Sequence, residues 1–208
     1  MRIVFLDPSG ELGGAETALV ELIAALREAR PSWALRLIAA APGPFIDRAS
    51  RLGIRASPLP FPSSLARLGE WGRRGSLGNR LVLAAAAARA AVPALSYSSR
   101  LRRELALVDP DIVHTNGLKM HVLGARSAPA RSKVVWHLHD YPDARPMGGA
   151  LLRKYARRCS AIVANSESVA GRARRMLTSP PVHTVHNAVD LDRFHPEGPS
   201  LDLDAASG

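Results

Sequence analysis

Cysteine is nearly absent: the 208 residues include one, Cys159. No disulfide can form within the chain and no cysteine-based zinc site is available, which suits a reducing cytoplasm. Aromatic residues are scarce as well, with four Phe, three Trp and three Tyr. An aromatic platform for stacking bases is not what this composition builds, and no nucleic acid is expected as a partner. No Gly-Lys-Ser or Gly-Lys-Thr triplet occurs, so there is no P-loop. Long apolar runs are missing too. The best candidate, Leu81–Leu95, is broken by Arg89 and Pro93 and is too short to span a bilayer. Met1–Leu6 begins basic and then apolar, but Asp7, Pro8 and Glu11 interrupt it before the length of a signal sequence. Acidic residues are in deficit: 18 Asp and Glu stand against 28 Lys and Arg, a formal charge of +10. Nearly all of the positive charge is arginine. Two sources compete for it, a phosphate-bearing partner or the Ala- and Arg-rich usage of a GC-rich genome.

What is present is enough apolar material, 47% of the residues, for one packed domain or at most two small ones. Apolar runs of strand length alternate with stretches of helical period. Arg2–Leu6, Trp33–Ala40, Ile54–Leu59, Asp111–Thr115, Lys133–Leu138, Ala161–Ala164 and Val182–His186 read as strands. Gly14–Arg30, Pro44–Leu52, Met120–Arg126, Gly149–Arg158 and Ser166–Leu177 read as helices, the last capped by Asn165 or Ser166. Phe61–Gly78 reads as a loop with a short helix. Asn79–Val108 reads as one long helix or a kinked pair, with Pro93 as the break. This alternation predicts an α/β fold: a Rossmann-like, doubly wound, mainly parallel sheet flanked by helices. Ligands of such sheets bind beyond the carboxyl ends of the strands.

Chemistry-bearing residues gather at those ends. After the first strand come Gly10, Gly13 and Gly14, just before a helix. Glycines there let backbone amides approach a diphosphate, and the helix terminus adds partial positive charge. The pattern is G-x-x-G-G, and Ala40-Ala41-Pro42 stands where a ribose-binding acid would follow the second strand. The dinucleotide fingerprint therefore fails. His114, Thr115 and Asn116 close another strand. His137 and His139 share one side of the next, with His139 nearer the open end and Asp140 beside it. The H-x-H spacing falls short of a metal set, and no metal is expected; His139 suits a hydrogen bond to a ligand or a proton shuttle. Asn165, Ser166 and Glu167 form a polar exit that caps a helix and brings Glu167 toward the cleft. Cys159 follows Arg157 and Arg158, which would favour its thiolate, but packing at a strand start is the simpler expectation. No serine–histidine–aspartate set and no carboxylate pair at glycosidase spacing is present.

Four motifs stand in order at the strand ends: Gly13-Gly-Ala-Glu16; Asp111-Ile-Val-His-Thr-Asn116; His137-Leu-His-Asp140 with Ala164-Asn-Ser-Glu-Ser168; and His186-Asn-Ala-Val-Asp-Leu-Asp-Arg-Phe-His-Pro196. Together they resemble the N-terminal, acceptor-side domain of the retaining GT-B glycosyltransferases of family 4. The resemblance implies one half of a two-domain enzyme, with residues 1–195 as the acceptor domain. Residues 196–208 would be a linker toward a C-terminal donor-binding domain that this sequence lacks. It implies transfer of a hexose-type sugar, with retention, from a nucleotide-diphosphate sugar to a glycan or lipid-linked acceptor, without metal or cofactor. Gly13 and Gly14 would lie by the donor diphosphate and His139 at the reaction centre. Glu16, Asn116, Asp140, Asn165 and Glu167 would line the acceptor cleft, and Asn187 and Asp190 would form the interdomain hinge. The family has Asn-Gly where this chain has Asn187-Ala188, so the turn there is expected to be built differently. Without the donor half this fragment alone is expected to be inactive. The basic middle, with Arg67, Trp71, Arg73, Arg74, Arg80, Arg89, Arg100, Arg102 and Arg103, would suit an anionic membrane surface. That reading places a cytoplasmic protein at the inner membrane face. The competing reading is a non-catalytic, standalone Rossmann-like binding module.

Overall fold

The computed structural model describes residues 1–67, 77–144, 146–189, 191 and 198, with the side chains at 77–87 and 146–147 outside that description. Trp71, Arg73, Arg74, the Arg80 side chain, Asp190 and the 196–208 segment apart from Gly198 lie outside what is described.

Seven strands and seven helices are described: β1 (Arg2–Asp7), α1 (Gly14–Ala29), β2 (Ala34–Ala39), α2 (Pro44–Arg51), β3 (Arg55–Pro58), α3 (Ser63–Ala66), α4 (Leu77–Val108), β4 (Ile112–Asn116), α5 (Leu118–Ser127), β5 (Lys133–Leu138), α6 (Pro146–Ala156), β6 (Ala161–Ala164), α7 (Glu167–Met176) and β7 (Val182–Thr184). The strands form one sheet in the order β3-β2-β1-β4-β5-β6-β7. All six pairings are parallel.

The apolar runs explain this arrangement. Strands covered on both faces must be apolar at successive positions. In β1, Ile3, Val4, Phe5 and Leu6 are all buried. Alternation sends Val4 and Leu6 to one face, where they meet Tyr97, Leu101 and Leu105 of α4 and Met120 and Leu123 of α5. Ile3 and Phe5 go to the other, against Leu19, Val20 and Ile23 of α1 and Phe45 and Ala49 of α2. A third cluster joins β5 and β6 to α6 and α7 around Trp136, Leu152, Ile162 and Ala173.

The long middle helix settles as one element: α4 runs through Pro93 without interruption. Tyr97, Leu101 and Leu105, one turn apart, are fully buried, and the Tyr97 hydroxyl donates to the Leu59 carbonyl at 3.0 Å. This tertiary anchoring outweighs the hydrogen bond that Pro93 cannot donate. Ser166 is the cap of α7, its Oγ accepting from the Val169 amide at 3.3 Å. Cys159 is buried at the start of β6, and burial pushes its thiol up to about 12, so the arginines before it do not activate it. Among the described residues no helix is long and apolar enough to cross a membrane.

Candidate functional site

Chain direction across the sheet reverses between β1 and β4, which lie side by side. A crevice opens at such a switch point, above the carboxyl ends of the strands. Asp7 ends β1 and Asn116 ends β4, and both are fully buried. The Asn116 Nδ2 donates to Asp7 Oδ2 at 3.2 Å, and the Ser9 amide donates to Asp7 Oδ1 at 2.8 Å. The second bond is an Asx turn that starts the glycine loop. Burial pushes the Asp7 carboxyl up to about 7, with the charge of Glu16 adding to it. Gly117 follows Asn116 with φ +69, and a Cβ there would stand 2.8 Å from Pro8. The close approach of these two strand exits therefore requires glycine.

The loop from Ser9 to Gly13 leads into α1. The Glu16 carboxylate turns back to accept the Gly13 amide at 3.0 Å, the carboxylate half of a capping box. Glu16 is thus engaged with its own helix terminus. Gly14 is exposed, and a Cβ built there would meet nothing within 4 Å. The first turn of α1 opens onto free space, where a ligand could reach its amides.

β4 and β5 contribute a row of imidazoles. The rings of His139 and His137 are 4.2 Å apart, those of His137 and His114 are 5.3 Å apart, and Phe5 lies 5.3 Å beyond His114. His121 of α5 bonds Thr115 Oγ1 through Nδ1 at 2.8 Å and stacks on Trp136. Burial holds His114, His121 and His137 neutral, lowering their pKa values to about 4, 3 and 2. His139, half-buried at the mouth, is lowered by burial too, against the opposing charges of Asp140 and Glu16. At neutral pH it presents an uncharged ring.

Several buried polar atoms here have no hydrogen-bond partner among the described residues. They are His139 Nε2, both ring nitrogens of His137, His114 Nε2, Asn116 Oδ1 and Asn165 Oδ1. Asn165 also reaches the His139 carbonyl through Nδ2 at 3.5 Å. Unpartnered buried groups are costly and mark places where water or a ligand completes the bonding. Among the described residues, no group of three His, Cys, Asp or Glu side chains is placed to hold a metal ion.

The structure thus gathers His139, Asn116 and Asn165 at neighbouring exits, with Asp140 exposed beside them and Glu16 within electrostatic reach of His139. Glu167 is engaged by neighbours on α7 and β7. Its carboxylate accepts from Thr184 Oγ1 of β7 and pairs with Arg174 at 3.0 Å on an exposed surface. Asn187 is exposed beyond β7. Sequence reasoning missed Asp7 and His121. An acid closing a fully apolar strand was the available signal for Asp7. His121 carried none, because only packing against Trp136 distinguishes it.

Residues 12–193 match the family model described as Glycosyltransferase Family 4. No curated protein matches in sequence. Among solved structures, Anabaena Alr3699/HepE in complex with UDP and glucose is similar with a TM-score of 0.64 and 22% identity, over 92% of this chain and 46% of that one. Sucrose-phosphate synthase from Thermosynechococcus elongatus is similar with a TM-score of 0.65 and 11% identity, over 94% of this chain and 50% of that one. The lipopolysaccharide outer core galactosyltransferase WaaB, in apo form, gives a TM-score of 0.58 and 13% identity, over 96% and 51%. At these identities the likeness is one of fold. The chain spans about half the length of each of these structures.

Proposed function

The chain belongs to Glycosyltransferase Family 4, and from that premise we propose that it is the acceptor-side half of a sugar transferase. The donor is a nucleotide-diphosphate sugar, the acceptor a glycan or lipid-linked glycan, and the transfer retains configuration. A second domain facing this crevice holds most of the donor, so this half alone does not turn over. In this reading Gly13 and Gly14 sit by the donor diphosphate. The open space over Gly14 at the start of α1 supports that position. Asn116 and Asn165 offer amide groups to hydroxyls of the bound sugars, and Asn187 with Asp190 leads toward the facing domain.

The observation that carries the reading is His139 Nε2, buried and unpartnered on a ring held neutral at the mouth of the crevice. A neutral imidazole can give or take one hydrogen bond to a sugar hydroxyl without placing a full charge beside the reacting carbon. Support for a place at the inner face of a membrane comes from the exposed arginines of α4, Arg89, Arg100, Arg102 and Arg103.

Titration with UDP- and GDP-sugars, followed by ligand-observed NMR, tests the split cleft. The chain joined to its facing domain should bind, and the chain alone should not. Tight binding by the 208-residue chain alone would overturn the two-domain reading. In the joined enzyme His139→Ala should lower transfer roughly a hundredfold. An unchanged rate would remove His139 from the reaction centre.

A further inference from the structure

We propose that the groove between α6 and α7 is an anion site that takes the phosphate group of a phosphorylated ligand, independently of the sugar-transfer reading. The groove is an open surface depression of about 360 Å3, lined by Asp143, Arg153, Arg172, Arg175 and Met176. None of these side chains belongs to the imidazole row or the glycine loop.

Arg153 of α6 and Arg172 and Arg175 of α7 line the groove together with one carboxylate, Asp143. Arg172 is held in place: its Nη1 donates to Asp143 Oδ2 at 2.6 Å, and its guanidinium lies 5.1 Å from the Tyr141 ring. The Tyr141 hydroxyl is in turn hydrogen-bonded to Ser168 Oγ at 2.8 Å. The Arg172 bond lowers the Asp143 carboxyl, and the nearby charge of Arg175 adds to the effect. Asp143 is therefore ionised and already engaged. Arg153 and Arg175 have no ion pair among the described residues. The neighbouring Arg174 differs, because it pairs with Glu167 on another side of α7.

Like charges converging on one concavity repel each other unless an anion sits between them. Guanidinium forks match phosphate oxygens in pairs, and the fixed Arg172 lowers the ordering cost of the first contact. The concave shape suits one phosphate or diphosphate group with the moiety that carries it. That group could come from a soluble phosphorylated molecule or from a phospholipid headgroup, since the recognising chemistry is the same.

The test is calorimetric titration of the chain with inorganic pyrophosphate at low salt, beside sedimentation with phosphatidylglycerol and phosphatidylcholine vesicles. The wild type should bind pyrophosphate saturably or the anionic vesicles selectively. The first result identifies a soluble ligand and the second a lipid headgroup. The exposed double variant Arg153→Gln/Arg175→Gln should weaken that binding roughly tenfold or more for each guanidinium removed. Arg51→Gln, a surface control, should leave it unchanged. Pyrophosphate should shift the methyl resonance of Met176 and spare that of Met120, which is buried under α4. Absence of binding to both probes, or equal binding by the double variant, overturns the proposal. So does loss of binding in Gly14→Val with retention in the double variant. That last result would place the anion at the glycine loop and leave the proposed function standing.

Discussion

The polar groups at the exits of β1, β4 and β5 differ from those around α7 and β7 in one physical respect. The first set is buried and incompletely bonded; the second is exposed and paired. Asp7, Asn116, His114 and His137 are buried at the strand exits, and several polar atoms of Asn116, His114 and His137 lack partners among the described residues. Glu167, Arg174 and Thr184 satisfy one another at the surface. Surface pairs of that kind contribute little, because water serves each member nearly as well. Buried polar atoms lack that alternative, so their presence costs stability that only a ligand or ordered water returns. A polar cluster in the strand-exit crevice, where the helices leave the sheet open, is thus the better marker of a site than a polar cluster that merely follows a strand.

Acid should break this contrast most strongly. Below pH 6.5 the unfolded chain takes up protons on His114, His121 and His137 that the folded chain refuses until about pH 4, 3 and 2. The stability linked to the neutral rings is whole above pH 6.5 and is lost as pH falls. Asp7 works in the opposite direction. Its folded carboxyl accepts a proton near pH 7 and its unfolded one near 3.8, so its neutral form favours folding at low pH and that contribution fades as pH rises through 7. Between pH 6.5 and 4 the three histidines outweigh the one carboxyl by about two protons, so stability falls with falling pH by about 3 kcal/mol per pH unit. Urea unfolding measured from pH 7 to pH 4 should show that slope; a flat profile would mean that the rings are not buried neutral.

Removing the carboxyl that ties the two central exits together should cost less. Asp7→Ala leaves the Ser9 amide and the Asn116 Nδ2 without their acceptor and should destabilise by about 2 kcal/mol at pH 7. Denaturant midpoints of the two proteins, compared at one pH, check this.

His137→Phe sharpens the comparison. It replaces a ring with two unpartnered nitrogens by an apolar ring of similar size. The acid limb should become shallower by about one proton's worth of slope, about 1.4 kcal/mol per pH unit. The smallest effect belongs to the surface set: Glu167→Gln should leave the thermal midpoint unchanged within error. A large loss there would mean that the α7–β7 contacts matter as much as the buried ones.

Much of the architecture was legible in the sequence. Strands buried on both faces read as apolar runs, and helices between them read at a different period, so β1, β5 and β6 fall within a residue of their expected limits. The ends of elements were less legible. α5 starts at Leu118 rather than Met120, and β7 stops at Thr184 rather than His186, because pairing with a neighbour decides where a ladder ends. Asn79–Val108 reads as one long helix or as a pair kinked at Pro93. The buried ring of Tyr97 and the leucines beyond it keep α4 a single element. In the candidate site, His139, Asn116 and Asn165 are expected from their places after apolar runs, and the fold puts them at neighbouring strand exits. Glu167 occupies the same kind of place, and its bonds to Thr184 and Arg174 are partners that no local pattern records.

The sequence by itself determined the alternation of strands and helices, the position of each polar cluster at a strand exit and the glycines at the turn, because these depend on neighbours a few residues away. The tertiary structure alone decided which exits meet. Asp7 and Asn116 are 109 residues apart, and they touch because β4, not β2, covers the second edge of β1 in a register that levels their ends. That pairing is set by how α1, α2, α4 and α5 divide the two faces of the sheet, a balance of packing over the whole domain.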